Sequence, residues 1–188
     1  MRPNEVSSRP KTVMAVRKRL ALIAHDHCKG ELLEWADFNR GTLIGHELWA
    51  TGTTGALLTA ALDLPVTRFM SGPLGGDQQV GAAIVEGRID FVIFFWDPLE
   101  PQPHDVDVKA LLRVAVVHNV PIACNRSTAD FLLSSPLMHR EYERLLARGT
   151  GDPAPFRRIR LNGSGSALQH RAARPRPNRY IAARRFLI

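Results

Sequence analysis

The chain has almost no cysteine: Cys28 and Cys124 are the only two in 188 residues. Two thiols are too few for a disulfide framework in a chain this size, so a disulfide-stapled secreted scaffold is excluded and free thiols in a reducing compartment are expected. Long apolar runs are also missing. The longest, Phe91 to Trp96, falls far short of a bilayer span, and the first residues lack the apolar core of a secretory signal. A soluble, cytoplasmic protein with no membrane partner is therefore expected. Acidic residues are scarce only at the C-terminus, where residues 149–188 hold nine arginines and one acidic side chain, against 16 Lys/Arg and 17 Asp/Glu in residues 1–148. The formal net charge of +7 thus belongs to the tail. The body lacks the basic excess of a nucleic-acid-binding fold, so such binding is expected only non-specifically and only through residues 149–188.

What is present is a regular alternation of short apolar runs with helical periodicity. Residues 1–18 mix Pro, Ser, Asn and basic side chains and read as a mobile lead-in. Strands are expected at Leu20–Ala24, His46–Ala50, Val66–Met70, Phe91–Trp96 and Ile122–Cys124. Between them, helical faces are marked by Leu32, Trp35 and Ala36; by Leu57, Leu58, Ala61 and Leu62; by Val80, Ala83 and Ile84; and by Val108, Leu111, Leu112, Ala115 and Val116. A last helix is expected over Asp130–Ser134. Strands and helices alternating at this spacing argue for one α/β domain over residues 19–148 with a parallel sheet covered on both faces. The tail 149–188, rich in Arg, Pro, Ala, Gly and Ser, reads as largely unstructured.

In such folds ligands bind beyond the carboxyl ends of the strands, and every chemically interesting cluster follows a strand. Ser71-Gly72-Pro73-Leu74-Gly75-Gly76-Asp77-Gln78-Gln79 is a glycine-rich turn ending in a carboxylate at a helix start. Glycines let amides approach an anion, so a carboxylate kept there suits proton abstraction; the competing reading is that Asp77 caps the helix. Thr51-Gly52-Thr53-Thr54-Gly55 offers hydroxyl and amide donors to a phosphate, or is a simple cap; with no Gly-Lys-Ser/Thr following, it is not a Walker loop. Lys29 can supply a point charge to the phosphate. His25, Asp26, His27 and Cys28 lack the spacing of a metal shell, and His25 and Asp26 better suit hydrogen bonding to an oxygen-rich ligand. The three-proline loop after Trp96 leads to His104, which with Asp105 or Asp107 forms an imidazole–carboxylate pair able to move protons; the competing reading is that Asp105 or Asp107 merely caps the helix, and for Asp107 the two stand equal.

These motifs, taken in order with Phe94-Phe95-Trp96-Asp97-Pro98-Leu99, Asp107-Val108-Lys109-Ala110-Leu111-Leu112-Arg113 and Asn125 through Asp130, resemble the methylglyoxal synthase family over residues 19–138. The resemblance implies a three-layer α/β/α sandwich around a five-stranded parallel sheet. It also implies conversion of dihydroxyacetone phosphate to methylglyoxal and inorganic phosphate, with no metal or organic cofactor, by a cytosolic homohexamer that phosphate inhibits. Carried over by motif, Asp77 is implied as the base, assisted by His104 and Asp107. His25, Lys29, Thr51, Gly52, Thr53, Thr54, Ser71 and Gly72 are implied to bind the substrate. The same fold serves elsewhere as a non-catalytic phosphate-sensing domain, which is the alternative reading. The chain departs from the family after Tyr142–Leu146, where a helix bearing tyrosine and arginine gives way to the Arg/Pro tail.

Overall fold

A computed structural model describes residues 10–101 and 105–146. Five parallel strands form the central sheet: β2 (Arg19–Ala24), β3 (Glu47–Ala50), β4 (Val66–Arg68), β5 (Phe91–Phe95) and β6 (Ile122–Ala123). Their order is β4-β3-β2-β5-β6, and every neighbouring pair is parallel. The central strands β2 and β5 pair from Leu20↔Phe91 to Ala24↔Phe95 and read as unbroken apolar runs, because both faces of a parallel sheet are covered.

Alternation along these strands divides the core in two. Leu20, Leu22, Phe91, Ile93 and Phe95 pack with Leu32, Trp35, Leu58, Leu62 and Leu133, which come from α1 (Lys29–Phe38), α3 (Gly52–Leu62) and α6 (Arg126–Ser134). Ala21, Ile23, Val92 and Phe94 pack with Val80, Ile84, Val108 and Leu111 from α4 (Gly76–Val85) and α5 (Asp105–Val117) on the other face. The period of two in the strands meets the period of 3.6 in the helices, and the three-layer α/β/α sandwich follows. A short helix, α2 (Arg40–Leu43), joins α1 to β3. No helix among the described residues is long and apolar enough to cross a membrane.

Two expectations need correction. Residues 11–18 are not a mobile lead-in: β1 (Lys11–Met14) pairs antiparallel with β7 (Tyr142–Leu145), from Lys11↔Leu145 to Met14↔Tyr142. Met14 and Lys18 are wholly buried, and the Lys18 ammonium donates to the carbonyls of Met14, Ala15 and Arg140. A four-residue strand with one buried apolar side chain carries too little pattern to be read locally. The last helix starts at Arg126 rather than Asp130, because Asn125 caps it by accepting the Thr128 amide at 2.9 Å. Residues 1–9, 147–148 and the tail 149–188 lie outside the described residues.

Candidate active site

Chain direction does most of the placing. All five strands point the same way, so the turns after β2, β3 and β4 meet at one rim, next to the switch point between β2 and β5 where the strand order reverses. There they enclose a cleft of about 240 Å³. Of the residues implied to act, His25, Lys29, Thr51, Thr53, Thr54, Ser71, Gly72 and Asp77 line it.

Asp77 is the second residue of α4 and only 2 % exposed. Asp77 is not the N-cap residue, because Gly75, left-handed at φ 93°, occupies that position. The carboxylate instead forms one wall of the cleft at the positive end of the helix dipole. A side chain at Gly76 would place its Cβ 2.1 Å from the Met70 carbonyl oxygen, so only glycine lets α4 begin this close to the preceding turn.

Thr51 holds the N-cap position of α3 and yet makes no side-chain cap bond, so the simple cap reading fails here too. Its hydroxyl and that of Thr54 are buried at the cleft. The Thr53 and Thr54 amides belong to the first helical turn, where helix geometry supplies no acceptor. Lys29, at the start of α1, donates to Thr53 Oγ1 at 2.8 Å and to the Asp26 carboxylate. Receiving that bond leaves the Thr53 hydroxyl its own proton to donate. Asp26 departs from expectation: its carboxylate is spent on Lys29, whose hydrogen bond and charge hold it below the usual carboxylate range.

His25 is buried beneath this rim, with its ring edge-on to Phe94 at 5.1 Å. Its Nδ1 accepts the Asp97 amide at 3.3 Å, so the neutral ring carries its proton on Nε2. Asp97 follows β5, and its carboxylate in turn accepts the Leu99 amide at 3.0 Å.

Three implied residues are placed differently. Gly52 stands beside the cleft, with its amide already donated to the Met70 carbonyl at 3.0 Å. A Cβ there would lie 2.6 Å from Ser71 Oγ, so Gly52 admits the Ser71 turn against α3. Asp107 is the third residue of α5, inside the helix rather than at its cap, and accepts Gln78 Nε2 at 3.0 Å away from the cleft lining. His104 lies outside the described residues.

Burial pushes both the Cys28 and Cys124 thiols up, which favours their protonated form. His27 stands with Asp97 and Glu100, their ligand atoms within 4.8 Å of one another, rather than with His25. His27 Nδ1 lies 2.8 Å from Glu100, and its side chain is 69 % exposed, which is the geometry of an ordinary surface contact.

Sequence reasoning assigned no role to the Asp97 amide, Gln78 or Gln79. Gln79 Oε1 accepts the Met70 amide at 2.7 Å. Only their place inside the quoted motifs marked these residues, because a contact between a side chain and a distant backbone amide leaves no periodic trace.

The MGS-like domain family matches residues 31–124. The chain is 60 % identical over 129 residues to the methylglyoxal synthase of Leptospira interrogans serovar copenhageni, covering 69 % of this chain and 87 % of that protein. It is 57 % identical over 141 residues to the methylglyoxal synthase of Sodalis glossinidius, covering 71 % and 92 %. The crystal structure of methylglyoxal synthase from Elizabethkingia anophelis NUHP1 superposes with a TM-score of 0.70 at 53 % identity, covering 73 % of this chain and 91 % of that one.

Proposed function

The chain belongs to the methylglyoxal synthase family, and from that premise we propose how its cleft converts dihydroxyacetone phosphate to methylglyoxal and inorganic phosphate. It is a carbon–oxygen lyase. The phosphate rests on the Thr53 and Thr54 amides, the hydroxyls of Thr51, Thr53 and Ser71, and the Lys29 ammonium, with Gly72 closing the turn. Gly52 supports this cradle from behind. Asp77 removes a proton from the hydroxymethyl carbon, and the resulting enediolate is stabilised by His25 Nε2–H and by His104 at the carbonyl oxygen. Electrons from the hydroxyl-bearing carbon then expel phosphate as that hydroxyl loses its proton. The enolate left behind takes a proton on its terminal carbon to become the methyl group. Asp107 assists from α5. No metal or organic cofactor enters any step.

The observation that carries this reading is a buried carboxylate, Asp77, opening onto the same cleft as the Lys29–Thr53 pair. A phosphate-sensing domain has no use for a base beside its anion. Incubation of the purified protein with dihydroxyacetone phosphate should release phosphate and methylglyoxal in equal amounts. Binding of phosphate without either product would return the sensor reading.

Phe38 and Phe131 are exposed at 84 % and 80 %, apolar surface that supports assembly of the proposed homohexamer. Phosphate, as product, is proposed to inhibit by occupying the same cradle. The enzyme is proposed to act in the cytoplasm, with the domain over residues 19–148 carrying the chemistry. Residues 149–188 are proposed to contribute only salt-sensitive, non-specific contacts to polyanions through their nine arginines.

A further inference from the structure

Met70 sits at a junction between the two helices that make the site. Its amide donates to Gln79 Oε1 at 2.7 Å, tying it to α4, and its carbonyl accepts the Gly52 amide at 3.0 Å, tying it to the first residue of α3. The next two residues, Ser71 and Gly72, line the cleft. Gln79 lies two positions after Asp77 on the same helix.

We infer that Gln79 is a positioning residue: through the Met70 peptide it fixes the spacing between the Asp77 carboxylate and the phosphate-holding turn at Ser71 and Gly72. The physical reason is that the turn lies past the end of an edge strand and is otherwise held by a few backbone bonds. Strand β4 ends at Arg68 on the edge of the sheet, and the Phe69 amide makes its last ladder bond, to the Ala50 carbonyl at 2.9 Å. Beyond it, the Ser71 carbonyl accepts the Leu74 amide of its own turn and the Gly76 amide at the start of α4, both at 2.9 Å. The bond from Gln79 adds a side-chain brace, one residue upstream at Met70, to the backbone link between the turn and the base-bearing helix. Without it the turn can shift by a fraction of an ångström, enough to misplace a bound phosphate relative to the base.

The inference rests on the proposed reading of the cleft, and inorganic phosphate separates the two, because it reports the cradle without the chemistry. Gln79→Met keeps length and removes the acceptor; Gln79→Glu keeps an oxygen for the Met70 amide. Gln79→Met should raise both the inhibition constant of phosphate and KM about five- to tenfold, the worth of one ordinary hydrogen bond. Gln79→Glu should stay within about threefold of wild type by the same measure. Tm should stay close to wild type in both. Unchanged phosphate inhibition in Gln79→Met would overturn the inference, as would a Gln79→Glu enzyme impaired as much as Gln79→Met. Lys29→Met is the control: if it leaves phosphate inhibition unaltered, the reading of the cleft has failed rather than the role of Gln79.

Discussion

At the carboxyl end of the sheet, His25, Thr51, Thr54 and Asp77 are buried around an open cleft; at the amino end, Lys18, His46, Asp90 and Arg144 are just as buried among themselves and the backbone. Burial of polar groups is therefore not what distinguishes a site. The difference lies in where the hydrogen bonds go. Asp90 takes the Arg19 amide at 3.0 Å and the Arg19 guanidinium at 3.0 and 2.8 Å, so both its oxygens are consumed. Lys18 spends its ammonium on three carbonyls, and its amide donates to His46 Nδ1 at 3.2 Å. At the cleft, by contrast, the Thr51 side chain makes no cap bond, and Thr53 and Thr54, whose amides have no acceptor within the helix, line the space a ligand would fill. One end holds the fold together; the other keeps its donors for something else.

This contrast can be broken by removing one carboxylate from each end. Asp77→Asn should lower turnover by about 10³-fold or more while leaving phosphate inhibition and Tm near wild type, since shape is kept and the base is lost. Near-normal turnover would remove Asp77 from its role. Asp90→Ala should do the reverse. It leaves the Arg19 amide and the partly exposed guanidinium without their acceptor, at a cost of about 1–3 kcal/mol in urea unfolding, while KM in the surviving folded protein is retained. A similar loss of catalysis in both variants would show that the two ends are not separable.

Arg144 sharpens the comparison from the other side. It is 3 % exposed, its Nε and Nη1 find no acceptor among the described residues, and Asp90 beside it is already claimed by Arg19. Arg144→Met should therefore stabilise the protein by about 1–3 kcal/mol, the cost of leaving buried donors unpaired. A fall in Tm would mean that the guanidinium has a partner in the assembled protein.

The smallest effect concerns acid. Burial lowers the pKa of His46, helped by the nearby charges of His139, Lys18 and Arg17. The unfolded chain then binds a proton that the folded one resists, so the contribution of His46 is complete above about pH 6.5 and is lost as the pH falls below it. His46→Gln should flatten the decline in Tm between pH 7 and pH 5. An identical slope in both proteins would assign the acid sensitivity elsewhere, His118 being the next candidate because burial lowers it as well.

The sequence alone determined the layers of this protein and which turns would meet. Unbroken apolar strands such as Phe91–Phe95 and the face of Val108, Leu111 and Ala115 are local patterns, and burial on both sides of a parallel sheet demands them. The ordered motifs carried Asp77, Lys29 and the threonines in the same way, because a glycine turn before a helix is written in consecutive residues. Tertiary structure decided what depends on residues far apart in the chain. The pairing of Lys11–Met14 with Tyr142–Leu145, the Asp97 amide that sets the His25 tautomer, the commitment of the Gly52 amide to Met70 and the turning of Asp107 toward Gln78 all join separate segments. Each is a single hydrogen bond or a short ladder, worth about 1 kcal/mol per bond, too small to impose a periodic pattern on the sequence and yet enough to decide where a donor or acceptor is spent.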